Sequence, residues 1–228
     1  MKIIATIQSD FREKFGIPRQ SGLVEELEAR IIFEPEYRNP AAVRGLDGFS
    51  HIWLIWQFSE SLREGWSPTV RPPRLGGNER MGVFATRSPF RPNEIGLSCV
   101  KIVKIEQTKE FGPVITVSGA DLLNGTPIYD IKPYIPHVDS KPEAKAGFSA
   151  ENKQYQLEVK IPESKLEKIP VEKREALKGI LAEDPRPAYQ EDSQREYGLN
   201  FAGYEVHFFV KNKTLYVSNI DKSLRNED

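Results

Sequence analysis

Short apolar stretches recur through the first 136 residues, and turn-forming residues separate them. Runs of this kind, rich in β-branched and aromatic residues and bounded by Gly, Pro, Asn or Asp, predict β-strands. The stretch Ser50–Phe58 is long enough for a strand buried on both faces. The segment Asp121–Tyr134 also reads as extended, with a turn at Asn124-Gly125-Thr126-Pro127. The remaining predicted strands of this region are Ile3–Ile7, Arg30–Phe33, Met81–Thr86, Ile95–Ile105 and Val114–Ser118.

The pattern changes after Pro136. Residues Asp139–Gln154 are polar and charged, which predicts a linker or surface loop. A helix is predicted over Val171–Glu183, because Leu177, Ile180 and Leu181 share a face and Asp184-Pro185 ends the pattern. The predicted strands of this part are Tyr155–Ile161, Tyr204–Val210 and Thr214–Ile220.

Many short strands joined by turns favour a closed barrel, since closure removes unpaired strand edges. We therefore expect a mainly β protein, with a single-sheeted antiparallel β-barrel in residues 1–138 and a small α+β domain in residues 139–228. A β-sandwich remains the alternative for the first domain.

Composition narrows the functional classes. The chain has 228 residues and a net charge of −1. Because Cys99 is its one cysteine, an intrachain disulfide is excluded and a reducing, cytoplasmic setting is favoured. The three histidines have no ligand-like spacing, so no metal site is expected. No apolar run is long enough to span a membrane, and the N-terminal one is too short for a signal peptide.

Positive charge is concentrated in one window. From Arg63 to Lys104 there are eight Lys or Arg and three Glu, a local net charge of +5. The centre of this window, residues 71–93, is also rich in Pro and Gly, which hold backbone in non-repetitive shapes. Arginine suits phosphates, carboxylates and stacked bases, so the window predicts a cationic loop for an anionic or planar ligand. The alternative is a set of structural arginines that bond loop carbonyls and pair with Glu79 or Glu94.

Three further groups carry candidate chemistry. Pro18-Arg19-Gln20 could hydrogen-bond a planar ligand, although a surface turn is the simpler interpretation. On an extended strand, Asp130, Lys132 and Tyr134 would project from one face and could serve as proton acceptor, anchor and stacking surface. The alternative is a structural ion pair between Asp130 and Lys132. In Asp184-Pro185-Arg186-Pro187-Ala188-Tyr189, Arg186 and Tyr189 could add cationic and aromatic contacts to a helix-terminating turn.

Signatures of the common nucleotide-binding folds are absent. The chain contains no phosphate-binding loop motif, no nucleophile elbow and no glycine-rich turn between a strand and a helix. A Rossmann or doubly wound methyltransferase fold is therefore not expected.

Taken in chain order, the motifs resemble those of the TsaA-like or TrmO family of bacterial tRNA methyltransferases. The matching segments cover most of the chain: Pro18-Arg19-Gln20, Ala42–Trp53, the arginine-rich segment through Asn93, Gly125–Tyr134 and Asp184–Tyr189. The resemblance implies a homodimer whose barrel binds S-adenosylmethionine. It also implies methyl transfer to N6 of a threonylcarbamoylated adenosine at tRNA position 37, next to the anticodon.

The resemblance also implies site residues. In the cofactor pocket they are Pro18, Arg19, Gln20, Ser59, Glu60, Arg87, Leu97, Leu123, Asn124, Gly125 and Thr126. Two positions depart from the family pattern: Asn124 stands where Asp is common, and Ser59-Glu60 where His-Gln is common.

The remaining roles are hypotheses built on that assignment. Asp130 would accept the N6 proton, with Lys132 and Tyr134 holding the threonylcarbamoyl group. The tRNA anticodon stem-loop would be held by Arg71, Arg74, Arg80, Arg91 and Arg186. The alternatives are a methyltransferase acting on another RNA or a small molecule, and a non-catalytic RNA-binding barrel.

Overall fold

The structure is a computed structural model that describes residues 1–61, 65–72, 79–152, 156–187, 192 and 195–223. In those ranges the strands are β1 (Ala5–Gln8), β2 (Glu28–Phe33), β3 (His51–Gln57), β4 (Thr69–Val70), β5 (Met81–Gly82), β6 (Ile95–Thr108), β7 (Gly112–Ser118), β8 (Pro127–Pro133), β9 (Glu158–Lys160), β10 (Tyr197–Phe201), β11 (Tyr204–Lys211) and β12 (Thr214–Lys222). The α-helices there are α1 (Pro136–Asp139), α2 (Glu163–Leu166) and α3 (Arg174–Ala182). None of the described helices is long and apolar enough to cross a membrane.

Six strands form a closed antiparallel barrel in the order β1-β2-β7-β6-β3-β8, and β8 returns to pair with β1. The predicted single-sheeted barrel is therefore confirmed, and a two-sheet sandwich is excluded. Alternate residues of each strand point inward, as the two-residue period of a strand requires. The inward side chains include Ile7, Ile31, Leu54, Val100 and Ile115, all fully or almost fully buried.

The aromatic strand β3 is buried on one face only. Ile52, Leu54 and Trp56 lie inside the barrel, whereas Trp53 and Ile55 lie on its outer face and are half-buried. The expectation of burial on both faces was thus wrong, because the described residues cover the outer face of β3 only in part.

The segment Met81–Thr86 is not a continuous strand. β5 pairs with β4 over two residues, and the chain then turns through a 3-10 helix at Val83–Ala85. Val83 is buried at this turn, so its packing, rather than strand pairing, accounts for the apolar run in the sequence.

The C-terminal region is a four-stranded sheet in the order β10-β11-β12-β9, with β9 parallel to β12. Helix α3 buries Ala176, Leu177, Ile180 and Leu181, the apolar face that its spacing predicts. β10 was missed because Gly198 and Asn200 are poor strand formers, and their places in the sheet depend on pairing with β11.

The core of this second sheet includes residues that precede β2 in the chain. Phe11, Val24 and Leu27 are buried together with Leu177 and Phe201. The long connection between β1 and β2 is therefore held against the C-terminal sheet, and this connection carries Pro18-Arg19-Gln20.

Candidate functional site

A cavity of about 770 Å³ opens at the end of the barrel where β3 ends and β6 begins. This volume lies within the range of about 300–1,000 Å³ that is typical of small-molecule sites. The walls come from the β1–β2 connection, the segment after β3, the arginine-rich segment and the turn before β8. The lining residues include Pro18, Arg19, Gln20, Trp56, Ser59, Glu60, Phe84, Arg87, Arg91, Gly96, Leu97, Asp121, Leu123 and Thr126.

A buried hydrogen-bond chain forms the floor of the cavity. Trp56 donates from Nε1 to Ser98 Oγ at 3.0 Å, and Ser98 Oγ donates to Asp121 Oδ1 at 2.6 Å. Gly96 permits this arrangement, because a Cβ at this position would lie 2.2 Å from Trp56 Cε2. The indole ring thus lies directly against the β6 backbone, with its orientation set by Ser98.

The carboxyl group of Asp121 borders the cavity from a largely desolvated position. Burial raises its pKa, and the Ser98 hydroxyl and the nearby Arg87 charge oppose that rise. A desolvated carboxylate that borders a cavity attracts a cationic ligand, since a positive charge there would restore the interaction that burial removed.

The β1–β2 connection is fastened at several points before it reaches the cavity. Gly22 donates its backbone N–H to Gly119 O at 2.9 Å, and Ser21 Oγ accepts from Cys99 N at 3.1 Å. Gly16 has a positive φ of 90°, and a Cβ there would lie 2.0 Å from Leu199 Cδ1 in β10. The C-terminal sheet therefore contributes to the placement of Arg19 and Gln20.

Two separated segments meet across the cavity. Arg87 donates from Nη1 to Gln20 Oε1. Lys14 donates to the carbonyl oxygen of Glu60 and, at 3.1 Å, to Ser61 Oγ. The structure thus brings the Pro18–Gln20 segment, Ser59-Glu60 and Arg87 to one cavity, although more than 60 residues separate Gln20 from Arg87 in the chain.

The turn before β8 lies beside the same cavity, but only part of it forms the wall. Leu123 and Thr126 line the cavity, whereas Asn124 and Gly125 do not. Asn124 instead accepts from Ser9 N through Oδ1 at 3.1 Å. Gly125 adopts a φ of 79°, which favours glycine in this turn.

The predicted catalytic residues lie on the outside of the barrel. Asp130 and Lys132 form an ion pair at 3.0 Å, and their side chains are 46% and 62% exposed, respectively. Tyr134 packs against Trp53, with ring centroids 5.7 Å apart. None of the three lines the cavity. Asp130 is opposite Ile55, which is opposite Leu97 on the cavity rim, so two strand spacings of about 4.8 Å each separate Asp130 from that rim.

The arginines predicted to contact tRNA have different surroundings. Arg71 and Arg80 are exposed, and Arg91 lines the cavity. The side chain of Arg186 is only 12% exposed and forms a bidentate ion pair with Asp184, which favours a structural role at the end of α3. Arg74 and Tyr189 lie outside the described residues.

Sequence reasoning missed Asp121, Ser98 and Trp56 as a group. The available signal was an acid within the apolar stretch Ala120–Leu123, but nothing in the sequence brings that stretch to β3 and β6. Burial raises the pKa of the Cys99 thiol, and His51 Nδ1 lies 2.9 Å from Ser50 Oγ. Among the described residues, no group of His, Cys, Asp or Glu is arranged to hold a metal ion.

The cavity fits the functional groups of S-adenosylmethionine. The indole ring of Trp56 suits a planar adenine and, with the carboxylate of Asp121, a sulfonium cation. Arg19 and Arg87 suit the carboxylate of the amino-acid moiety. No phosphate-binding loop is needed, because this cofactor carries no phosphate.

Comparisons with known proteins agree with this chemistry. Residues 6–140 match the family model of the tRNA-methyltransferase O N-terminal domain, and residues 142–223 match that of the TrmO C-terminal domain. The chain is 40% identical over 215 residues to a tRNA (adenine(37)-N6)-methyltransferase of Escherichia coli K12, covering 91% of each chain.

Two relatives in Pseudomonas aeruginosa extend the comparison. One, whose name assigns it to the S-adenosylmethionine-dependent methyltransferases, is 38% identical over 215 residues and covers 90% of each chain. A crystal structure of TrmO superimposes with a TM-score of 0.77 at 32% identity, covering 97% of this chain and 95% of the other. With both domains matched and these relatives aligned over nearly their whole length, the chain belongs to the TrmO family of tRNA methyltransferases.

Proposed function

We propose that this protein transfers the methyl group of S-adenosylmethionine to N6 of the adenine at tRNA position 37. The observation that carries the proposal is the cavity at the open end of the barrel, where segments distant in sequence converge in a chain of the TrmO family. When bound, S-adenosylmethionine supplies an electrophilic methyl carbon. The chain has to hold that carbon still and bring the base to it, so positioning accounts for much of the rate.

The cavity residues divide into two groups by charge. Asp121, together with the ring of Trp56, suits the sulfonium. Arg19 and Arg87 suit the carboxylate, and the bond between Arg87 and Gln20 keeps both side chains at the wall. Glu60 offers an acceptor for the ribose hydroxyls.

The specific substrate that we propose is a threonylcarbamoylated adenosine at this tRNA position. Its carboxylate needs a cation, and Lys132 with Tyr134 provides a cation and an aromatic surface on the outer barrel face. Asp130 is the candidate acceptor for the N6 proton. Because these residues do not border the cavity of their own chain, the base would lie over the outer face, between Asp130 and the Leu97 rim or against the cavity of a second subunit.

A homodimer is supported by the apolar character of the same face. Leu97, Val103 and Val138 are between 46% and 53% exposed, and half-buried Trp53 and Ile55 lie between them. Exposed apolar patches of this kind mark protein–protein contacts. Trp53 and Ile135 N both donate to Asp139, which lowers the pKa of that carboxyl and fastens α1 to this face. Transfer to tRNA implies a cytoplasmic protein.

Light scattering tests the dimer. Val138→Glu is expected to convert a dimer into a monomer, because it puts a charge into the proposed interface. Val171→Glu is the matched control, since Val171 is 74% exposed but lies in the C-terminal domain. A monomeric wild-type protein, or equal dissociation by both substitutions, would contradict the dimer.

The reaction is tested by mass spectrometry of nucleosides from tRNA incubated with the protein and S-adenosylmethionine. A mass gain of one methyl group on threonylcarbamoyladenosine is expected. Cofactor binding without transfer to any tRNA adenosine would refute the proposal. Asp130→Asn is expected to lower turnover at saturating cofactor and tRNA, and unchanged turnover would remove Asp130 from the mechanism.

The arginine assignments can be separated by measuring cofactor binding and tRNA binding for each variant. Arg87→Ala is expected to weaken cofactor binding, measured by titration calorimetry, with little change in tRNA affinity. Arg71→Ala is expected to do the reverse and to lower the dependence of tRNA affinity on salt, because a phosphate contact is lost. If both variants lost affinity for the same ligand, the assignment of Arg87 to the cofactor and Arg71 to the tRNA would be wrong.

A further inference from the structure

Two large aromatic side chains are exposed together beside the mouth of the cavity. Trp66 is 51% exposed and Phe84 is 71% exposed. Their rings are stacked, with centroids 6.0 Å apart and planes inclined by 24°. Phe84 also borders the cavity, whereas Trp66 lies beyond its lining, so the pair extends outward from the site.

The local backbone holds this pair in place. In the 3-10 turn Val83–Ala85, the buried side chain of Val83 turns the next residue, Phe84, outward. Val83 N donates to Pro68 O at 3.0 Å, and Ser67 N donates to Phe90 O at 3.4 Å. Strand β4, which follows Trp66, also pairs with strand β5, which precedes Phe84, through Thr69–Gly82 and Val70–Met81. The aromatic surface is thus preformed, which lowers the entropy lost when a partner binds.

Arginine side chains lie on the segments that carry the pair. The guanidinium carbon of Arg91 lies 6.0 Å from the Phe84 ring centroid, and its Nη1 donates to Thr86 O at 3.1 Å. Arg80 donates from Nε to Thr69 Oγ1 at 3.0 Å and remains exposed, as does Arg71. Aromatic faces flanked by guanidinium groups suit a planar ring attached to a phosphate backbone.

We propose that the Trp66–Phe84 pair is a stacking platform for an unpaired base of the RNA substrate, next to the adenine that is methylated. The proposal rests on the proposed function. Sequence-specific proteins reach RNA loop bases by splaying them out and stacking them on aromatic side chains. Bound here, one neighbouring base leaves the loop stack, which frees the target adenine to turn towards the methyl carbon. Arg91 and Arg80 are placed to contact the phosphates on either side.

The test uses Phe84→Ala, Phe84→Leu and Phe84→Trp in the full-length protein. Leucine keeps apolar bulk without a π face, and tryptophan keeps the π face. Because Phe84 is mostly exposed, these substitutions leave the core intact. Phe49→Ala is the matched control, since Phe49 is an exposed aromatic residue before β3, at the opposite end of that strand from the cavity.

Two affinities are measured for each variant: that for an anticodon stem-loop RNA containing the target adenosine, and that for S-adenosylmethionine. Stacking of one base contributes about 1–3 kcal/mol, so Phe84→Ala and Phe84→Leu should weaken RNA binding roughly 5- to 150-fold. Phe84→Trp and Phe49→Ala should bind RNA like the wild type, and cofactor affinity should stay the same throughout. RNA affinity unchanged in Phe84→Ala, or cofactor affinity reduced by the same factor, overturns the platform.

A spectroscopic measurement separates stacking from simple contact. 2-Aminopurine replaces one loop base at a time on either side of the target adenine, and its fluorescence is quenched when it stacks. Quenching is expected at one position with the wild type and Phe84→Trp, and not with Phe84→Leu. Quenching that is the same with all three proteins overturns the proposal. If the wild type instead produces no methylated nucleoside, the proposed function fails, which is a different result.

Discussion

The buried serine of the cavity floor provides a direct test of how the site is held together. Ser98 is fully buried, and its hydroxyl accepts from Trp56 and donates to Asp121. Ser98→Ala removes both bonds without adding bulk. The indole N–H of Trp56, itself 7% exposed, would then lack its acceptor, at a cost of about 1–3 kcal/mol.

Asp121 contributes a smaller part of the loss. A hydrogen bond to a charged group stabilises by about 1.5–3 kcal/mol, but Asp121 borders the cavity, where water can replace the hydroxyl. We therefore expect a total loss of roughly 2–4 kcal/mol. In a chain of this size, 1 kcal/mol lowers Tm by about 2–4 °C, so Tm should fall by roughly 4–16 °C.

Thermal unfolding followed by tryptophan fluorescence measures this effect in the barrel, because the three tryptophans all lie within the first 66 residues. Thr116→Val is the matched control. Thr116 is also buried in the barrel, and its Oγ1 has no hydrogen-bond partner among the described residues. Its removal should leave Tm unchanged or raise it. A Tm for Ser98→Ala equal to that of the wild type, or a fall no larger than that of Thr116→Val, would refute the role of Ser98.

Three other substitutions test the site and its support. Because burial raises the pKa of Asp121 in the folded protein, its contribution to stability is fully present below the unfolded pKa and is lost as pH rises through the folded value. Asp121→Asn should therefore raise Tm more at pH 7 than at pH 4. It should also weaken the binding of S-adenosylmethionine more than the binding of the uncharged product of the reaction. An equal loss of affinity for both ligands would contradict the assignment of Asp121 to the sulfonium. Gly96→Ala should cost about 1–3 kcal/mol by overpacking Trp56 and should lower cofactor affinity in calorimetry. Phe11→Ala should cost about 3–5 kcal/mol in urea unfolding and also weaken cofactor binding, since Phe11 holds the β1–β2 connection to the C-terminal core. Unaltered cofactor affinity in either of the last two variants would separate that residue from the site.

The strand pattern was predictable where a run of β-branched and aromatic residues is bounded by turn-forming residues. β3, β6 and β7 lie close to their predicted positions, because each contains such a run and antiparallel pairing in the barrel satisfies its backbone hydrogen bonds. Met81–Thr86 and β10 were not predictable from local pattern. In the first segment only Val83 is buried and the chain turns there, and in the second Gly198 and Asn200 are held in the sheet by pairing with β11.

The sequence by itself determined the fold class and the candidate side chains of this protein. It predicted a mainly β barrel followed by an α+β region, and it contains the concentration of arginines and the motifs of the TrmO family. Tertiary structure decided which residues meet. Barrel closure brings Trp56, Ser98 and Asp121 together, and packing of the β1–β2 connection on the C-terminal sheet brings Gln20 to Arg87. The tertiary structure also separates Asp130 from the cavity, although Asp130 and the cofactor pocket were predicted as parts of one site. Motifs record which side chains the chemistry needs, whereas their distances depend on long-range contacts that no local pattern encodes.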